Sequence, residues 1–428
     1  MSQSAPIGGA ALSKIDDLLA HAEAQPLENL EGVNDNRVPD DVQSLADQLW
    51  QEQPPGFGDV AWDSASGTAT VWWHGRIDPA AREVIANIQT PTEVQAMTYS
   101  KAELSRAARS LLGEPGGRFT TAAAKVDGSG IEVTVSADSA RSAQTDSLDN
   151  SKYPVEIIPG GEVLPAADDR KQTPYAPYAG GASIINGAST VKACSSGWPV
   201  LIDNSNQTLP RKYGMMFASH CVTNTTSNIW TTWPSEEFSG QRFFFGYMSL
   251  STYRSGEADA AIMVNDPVAS GISDPTKIYY PYVYVGPPVG ATRYIVTASA
   301  APVIGANWCL GGAPSGTTCN NTVNSTGIFA NYGPEYPIAG PLVRTQSISG
   351  LANVGQGDSG GPAHLTSGTG SPLVQVTGII SGIDRAGQGP CRMNNDGRMC
   401  SSIGLISPYA LIQNNLGIRA MTATNYTE

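Results

Sequence analysis

The sequence predicts a mainly β protein in which a small α/β region precedes a larger all-β domain. Charged residues make up only 15% of the 428 residues, and there are 46 Gly and 30 Pro, a composition typical of turn-rich, strand-rich chains. From about residue 181, short apolar runs alternate with clusters of Gly, Pro, Asn and Ser, which is the pattern of a β-sandwich or barrel. Helical periodicity is confined to the earlier residues, apart from one late candidate at residues 408–416.

Residues 56–165 are predicted to form the α/β region. Alternating apolar residues indicate strands, and capping signals mark where the helices begin. The predicted elements, in order, are a strand at 69–73, a helix from Asp78 to about Gln89, a strand at 94–99, a helix opened by the capping box of Ser100 and Glu103, and a hairpin at 120–137. Residues 1–55 are expected to be poorly ordered, with residues 42–51 as a candidate short helix.

Charge is distributed unequally along the chain. Residues 1–180 contain 26 acidic and 13 basic residues, whereas residues 181–428 contain 12 of each. This asymmetry indicates two parts with different tasks, or simply an acidic solvated domain beside a neutral one. Between them, residues 166–180 are rich in Pro and charge, which favours a linker with a processing site.

Six cysteines lie in the second part and none in the first 193 residues. An even number confined to one segment favours three disulfides and an oxidising, extracellular compartment. The sequence alone leaves all 15 pairings open. No Cys-x-x-Cys pair is present, which argues against a zinc ribbon, and we expect neither a metal nor a cofactor. The cysteines are Cys194, Cys221, Cys309, Cys319, Cys391 and Cys400.

Other partner classes are disfavoured. No basic patch indicates nucleic-acid binding, and no run of 18 apolar residues predicts a membrane-spanning helix. The first residues lack the basic and apolar regions of a signal peptide, which leaves the export route open.

The segment Gly355–Pro362, GQGDSGGP, is the strongest chemical signal in the chain. Its four glycines permit backbone geometries that a side chain would block. Ser359 can therefore sit at a sharp turn, with backbone N–H groups directed at the site of reaction. That arrangement supplies a nucleophile and an oxyanion hole together.

A serine nucleophile needs a base, and His220 is the best of four histidines. It ends an apolar run, Met215–His220, beside Cys221. We interpret the others as surface or structural residues, namely His21, His74 and His364.

The base in turn needs an acid that orients it. Asp259 opens the apolar run Asp259–Val264, so it can be buried at the start of a strand, where an aspartate needs a partner. The rival, Asp203, lies in a polar loop.

Three blocks now resemble the chymotrypsin/trypsin-like serine protease superfamily, in particular its secreted bacterial streptogrisin and α-lytic protease members. They are Phe217–Cys221, Asp259–Ile262 and Gly357–Pro362, and they occur in the order His, Asp, Ser. The resemblance covers residues 181–428. It implies two six-stranded antiparallel β-barrels with the site in the cleft between them, and it makes the 56–165 unit a pro-region.

The resemblance also implies roles for further residues. The N–H groups of Gly357 and Ser359 would form the oxyanion hole. Asp358 would need a cationic partner, either an arginine or a new amino terminus, because the family's usual arginine position holds Leu310. The implied disulfides are Cys194–Cys221, Cys309–Cys319 and Cys391–Cys400. The implied substrate pocket is lined by Asn353, Ser381, Gly382 and Ile383.

These observations predict a secreted, monomeric serine endopeptidase that acts on proteins or peptides through an acyl-enzyme. Asn353 and Ile383 favour cleavage after small or medium uncharged residues; the alternative is that the insertion after residue 383 reshapes the pocket. A second hypothesis is a catalytically silent binding module on the same fold. An esterase of the α/β-hydrolase type is disfavoured because its histidine would follow the serine.

Overall fold

We describe the fold from a computed structural model. It describes residues 37–113, 119–136, 151–161, 163–165, 176–187, 193–202, 213–222, 225, 227–232, 240–252, 257–265, 277–288, 290, 292–367, 371–392 and 397–426. The helices within these residues are α1 (Asp40–Glu52), α2 (Pro79–Ala86), α3 (Lys101–Leu112) and α4 (Tyr409–Leu416). None of these described helices has the length and apolar character needed to cross a membrane.

The strands of the described residues fall into a first group before the linker and a longer second group after it. The first group is β1 (Phe57–Asp63), β2 (Thr68–Trp73), β3 (Thr92–Ala96), β4 (Phe119–Ala124), β5 (Ile131–Ser136), β6 (Val155–Gly160) and β7 (Val163–Pro165). The second group is β8 (Tyr178–Gly180), β9 (Ser183–Asn186), β10 (Ala193–Ser195), β11 (Pro199–Ile202), β12 (Tyr213–Phe217), β13 (Ile229–Thr232), β14 (Phe244–Ser251), β15 (Ala261–Val264), β16 (Tyr279–Tyr284), β17 (Arg293–Ser299), β18 (Asn307–Gly312), β19 (Gly316–Ala330), β20 (Ala339–Ser347), β21 (Val354–Gly355), β22 (Pro362–Thr366), β23 (Leu373–Asp384), β24 (Gln388–Gly389), β25 (Cys400–Ser401), β26 (Ile403–Pro408) and β27 (Ile418–Ala420).

Six strands close into a barrel. Its hydrogen-bonded order is β18, β19, β20, β26, β23 and β22, with β22 returning to pair with β18. Closure leaves no free edge among these six strands, and their inward side chains fill the interior. This is the second barrel that the sequence predicts.

The first barrel is a curled sheet of eight strands, in the order β10, β9, β13, β14, β15, β12, β11 and β27. Its described strands do not return to pair with each other, so it is curled rather than closed. A short 3₁₀-helix at Ser219–Val222 follows β12 and carries His220, and Asp259 lies just before β15. The mainly β, two-barrel architecture predicted from the sequence is confirmed.

The predicted N-terminal elements are present. Asp78 caps α2 by accepting the Ala81 N–H, and Ser100 with Glu103 forms the capping box of α3. Residues 40–52 form α1, which agrees with the candidate helix at 42–51, although the sequence predicts the rest of that segment as poorly ordered. Five of its side chains are buried, because its apolar stripe has a partner surface that the local sequence does not reveal: Val42, Leu45, Ala46, Leu49 and Trp50.

The sequence predicts a single small sheet within the N-terminal region, but the structure divides these strands between two sheets. β1, β2 and β3 form a separate three-stranded sheet, while β4 pairs with β19 and extends the barrel sheet outward through β5 and β6. The Ala301 N–H donates to Asp47 Oδ1 at 2.6 Å, and the Trp62 N–H donates to the Ile304 carbonyl at 2.8 Å. The N-terminal region therefore joins the second barrel through backbone hydrogen bonds as well as apolar packing.

Candidate active site

His220 and Asp259 form a buried pair. His220 Nδ1 lies 2.6 Å from Asp259 Oδ2, and the His220 backbone N–H donates to Asp259 Oδ1 at 2.9 Å. Both side chains are buried. Burial by itself raises the pKa of Asp259, but the adjacent imidazole and the hydrogen bonds from His220 and Ser381 outweigh it and hold the pKa below its ordinary value. Asp259 is therefore an ionised carboxylate that orients the ring through Nδ1, and this contact does not involve Nε2.

Ser381 links Asp259 to Ser359. Its hydroxyl donates to Asp259 Oδ2 at 2.6 Å, while its carbonyl accepts from Ser359 Oγ at 3.4 Å. Tyr332 completes the group, with its hydroxyl 2.8 Å from Ser381 Oγ. Sequence reasoning placed Ser381 in the pocket wall and missed this contact with Asp259. All three predicted catalytic residues are brought together, and no hydrogen bond among the described residues joins Ser359 directly to His220.

The turn that carries Ser359 is buried, yet two of its backbone N–H groups have no hydrogen-bond acceptor among the described residues. Neither the Gly357 N–H nor the Ser359 N–H donates to another of the described residues. Both peptide orientations are held from the carbonyl side of the same peptide unit: Arg398 Nε donates to the Gln356 carbonyl at 2.5 Å, and the Gly361 N–H donates to the Asp358 carbonyl at 2.8 Å. Buried N–H groups are normally paired, so two free ones side by side mark a place for a negatively charged oxygen.

Glycine is required at two positions of this turn. Gly357 has φ +96° and Gly360 has φ +87°, values that side chains rarely adopt. A Cβ on Gly360 would also lie 2.4 Å from the Ser195 carbonyl oxygen and 2.9 Å from the backbone nitrogen of Ala218, which directly follows β12. This close approach brings the Ser359 turn against the strand end that precedes His220.

Asp358 has a cationic partner that the sequence did not identify. Arg398 Nη2 lies 3.2 Å from Asp358 Oδ2, and Ser315 and the Gly355 N–H also donate to the carboxylate. Burial raises the pKa of Asp358, and the Arg398 guanidinium and these hydrogen bonds oppose that rise. Of the two alternatives left open by the sequence, the structure shows an arginine.

The predicted pocket residues are placed as follows. Asn353 is buried and its Nδ2 donates to Asn321 Oδ1 and to Ser347 Oγ, both at 3.1 Å. Ile383 is fully buried within the hydrophobic cluster of the second barrel, so its side chain packs into the core. Its placement gives no support to a pocket narrowed by Ile383.

A strand from the N-terminal region lies on the edge of β23. The backbone of β7 pairs antiparallel with β23, with Val163 opposite Asp384 and Pro165 opposite Gly382. Asp384 Oδ1 also accepts from the Gly161 N–H at 3.3 Å. From Val163 to Pro165 the chain advances toward Ser381, and therefore toward Ser359.

The three disulfides are those implied by the resemblance: Cys194–Cys221, Cys309–Cys319 and Cys391–Cys400. His220 lies beside the first one, and its nitrogen and the two sulfurs come within 4.8 Å of each other. Because the sulfurs are bonded to each other, they are not thiolate ligands for a metal.

The remaining histidines lie apart from the pair. His364 is fully buried on β22 and His74 is half-buried after β2, while His21 and the rival Asp203 lie outside the described residues.

Two solved structures of serine proteases are similar to this chain. Thermobifida fusca protease A is 23% identical, with a TM-score of 0.37, over 57% of this chain and 98% of that one. A glutamic acid specific serine protease, described as using a histidine triad in substrate binding, is 20% identical, with a TM-score of 0.38, over 57% of this chain and all of that one.

The chain has a chymotrypsin-like fold. The closed barrel, the curled sheet and the placement of the site between them carry this conclusion. No protein-family model matches the sequence, and the comparison with curated proteins found no match.

Proposed function

We propose that this chymotrypsin-like chain is a serine endopeptidase whose triad is His220, Asp259 and Ser359. The observation that carries the proposal is the Ser359 turn, where a buried hydroxyl and two backbone N–H groups without an acceptor among the described residues are joined through Ser381 to the carboxylate that orients the His220 imidazole. A binding module has no need for that combination.

In the proposed reaction each group has its own step. Asp259 holds the proton on His220 Nδ1, which leaves Nε2 to accept the Ser359 proton as Oγ attacks the peptide carbonyl. The carbonyl oxygen becomes negatively charged and binds the N–H groups of Gly357 and Ser359. His220 then donates the proton to the leaving amine, and water hydrolyses the acyl-enzyme by the same steps in reverse order.

We also propose that residues 37–165 act as a pro-region that blocks the site. The support is the pairing of β7 with β23, which occupies the strand edge next to Ser381 and Ser359 with the chain's own backbone. A substrate strand cannot pair with residues 382–384 of β23 while β7 is paired there. A cut in the linker, followed by removal of the segment, would open the edge. Because β8 belongs to the barrel sheet, the cut should precede β8, and we expect the mature amino terminus between Asp168 and Tyr178.

For specificity we propose cleavage after uncharged residues. Asn353 supports the absence of charge, since its amide is held by Asn321 and Ser347 and no charged group is hydrogen-bonded to it among the described residues. The limit to small or medium residues that the sequence predicts from Ile383 does not form part of the proposal, because Ile383 packs into the core. A series of peptide amides measures the preferred size.

The test of the proposed function compares the wild-type chain with Ser359→Ala. The proteins are incubated with a peptide library at neutral pH, and separately with a serine-directed phosphonate followed by peptide mapping. We expect cleaved peptides and a phosphonate adduct on Ser359 in the wild type, and neither in the variant. A folded wild type whose N-terminal chain has been digested away, and which cuts no peptide and takes no phosphonate, would identify a silent module instead.

A further inference from the structure

Arg398 holds the turn that carries the proposed oxyanion donors. Its Nε donates to the Gln356 carbonyl at 2.5 Å, and its Nη2 lies 3.2 Å from Asp358 Oδ2. Only 1% of the Arg398 side chain is exposed. One guanidinium therefore contacts the turn on both sides of Gly357.

The contact with Gln356 fixes the direction of the Gly357 N–H. The Gln356 carbonyl and the Gly357 N–H belong to one peptide unit, which is planar and trans, so the two groups point in opposite directions. Because the carbonyl is directed at Arg398, the N–H is directed away from it, and it finds no other partner among the described residues. Rotation of this peptide would turn the donor out of the oxyanion hole.

A covalently closed loop places Arg398. The disulfide Cys391–Cys400 closes the loop that contains it, and β25 then pairs with β21 directly before the turn, with Cys400 opposite Gly355. The Gln356 N–H also donates to the Met399 carbonyl at 2.9 Å, and the Met399 N–H donates to Gln356 Oε1 at 3.1 Å. The space is fully used, since a Cβ on Gly355 would lie 2.3 Å from Cys400 Sγ and 3.0 Å from Arg398 Nη2.

We propose that Arg398 is the positioning residue that forms the oxyanion hole, and that this chain needs no newly cut amino terminus to do so. The inference rests on the proposed peptidase function. That no new amino terminus is needed follows from the Asp358 carboxylate, because both of its oxygens already have donors. Oδ1 accepts from the Ser315 N–H, and Oδ2 accepts from Ser315 Oγ, the Gly355 N–H and Arg398. An ammonium from a new terminus would have to displace one of them.

The consequence is a pH profile. Among the described residues, Asp358 is the charged group that faces Arg398, and its other partners, Ser315 and the Gln356 carbonyl, are neutral. A guanidinium keeps its charge above pH 12, whereas an amino terminus loses it near about 8 and a lysine near about 10. We expect wild-type kcat to stay level from pH 8 to pH 10.5.

The experiment compares wild type, freed of its N-terminal chain by digestion, with Arg398→Lys, Arg398→Ala and the control Arg392→Lys, which changes the other arginine of the same loop; all variants are digested in the same way. A lysine replaces the two donor nitrogens Nε and Nη2 by a single Nζ, which cannot occupy both donor positions at once. We expect Arg398→Lys to lower kcat at pH 8 at least about tenfold and to add an alkaline loss near pH 10. Arg398→Ala should lower kcat about 10²–10³-fold, as removal of one oxyanion donor does, with KM changed less than about threefold. Arg392→Lys should behave as wild type.

Circular dichroism establishes which variants fold, and if Arg398→Ala does not, the Arg398→Lys profile decides. The inference would be overturned if Arg398→Lys kept the wild-type kcat and showed no loss of kcat near pH 10. It would also be overturned if Arg392→Lys showed the changes expected of Arg398→Lys. A wild type that itself loses kcat near pH 8 would point to an amino terminus instead. An inactive wild type would overturn the proposed function as well, so the two failures are distinguishable.

Discussion

Replacement of His364 by Phe should remove a large part of the acid sensitivity of this fold. His364 lies on β22 with no exposed surface, and its ring stands edge-on to Trp198 at 6.1 Å. Neither ring nitrogen is hydrogen-bonded to a described residue. Burial lowers the pKa of His364 to about 3, and the nearby Pro362 carbonyl offsets this only in part.

The sign and size follow from proton linkage. The folded pKa lies below the ordinary histidine value of about 6.5, so between these two values the unfolded chain binds a proton that the folded chain does not. The free energy of unfolding therefore falls with falling pH by about 1.4 kcal/mol per pH unit, which amounts to about 2.7 kcal/mol at pH 4.5 relative to pH 8. A Phe at this position keeps a ring against Trp198 and cannot bind a proton.

The assay is urea unfolding followed by tryptophan fluorescence at pH 8 and pH 4.5, in a Ser359→Ala background that prevents self-digestion. We expect His364→Phe to lose about 2–3 kcal/mol less than its parent between the two pH values. If His364→Phe and the parent lost equal amounts, a neutral buried His364 would be refuted.

Three further predictions concern the site. Ser359→Ala, His220→Ala and Asp259→Asn should each nearly abolish peptide hydrolysis, and a double variant should lose no more than the worst single one, because the triad acts as a unit; wild-type turnover in His220→Ala would contradict the assignment. Ser381→Ala removes a hydrogen bond to a buried carboxylate, a contact of about 1.5–3 kcal/mol, so kcat should fall about 10–100-fold; unchanged kcat would leave Ser381 a structural role only. In kcat/KM measurements on peptide amides, Ala should exceed Arg, and a preference for Arg would refute the uncharged pocket.

The residues of the site could be predicted because their signals are local. A histidine beside a cysteine, an aspartate that opens an apolar run and a serine among glycines each lie within eight residues of sequence. Helix caps are equally local, and the caps of α2 and α3 are where the sequence predicts them. Where a function needs a defined local backbone conformation, neighbouring residues in the sequence must allow that conformation, and the motif can be recognised from them.

The contacts that could not be predicted join residues far apart in sequence. Arg398 is 40 residues from Asp358, and nothing in its loop distinguishes it from Arg392 before the chain folds. Ser381 donates to Asp259 across 122 residues, so its alignment to a pocket wall concealed a second contact. Helix α1 has the same explanation, because its apolar stripe packs on residues that follow it by more than 250 positions.

The way the N-terminal region is attached bears on how a proposed pro-region would leave. All three disulfides lie within residues 194–400, so no covalent bond except the main chain holds the earlier residues to the barrels. Yet Leu49 and Trp50 of α1 belong to the same hydrophobic cluster as Trp308 and Ile380 of the second barrel. Burial of apolar surface at about 25 cal/mol per Å² makes such an interface stable after the main chain is cut. We therefore expect a linker cut to leave two bound chains with β7 still on β23, and peptidase activity to rise with the digestion of the N-terminal chain rather than with the first cut.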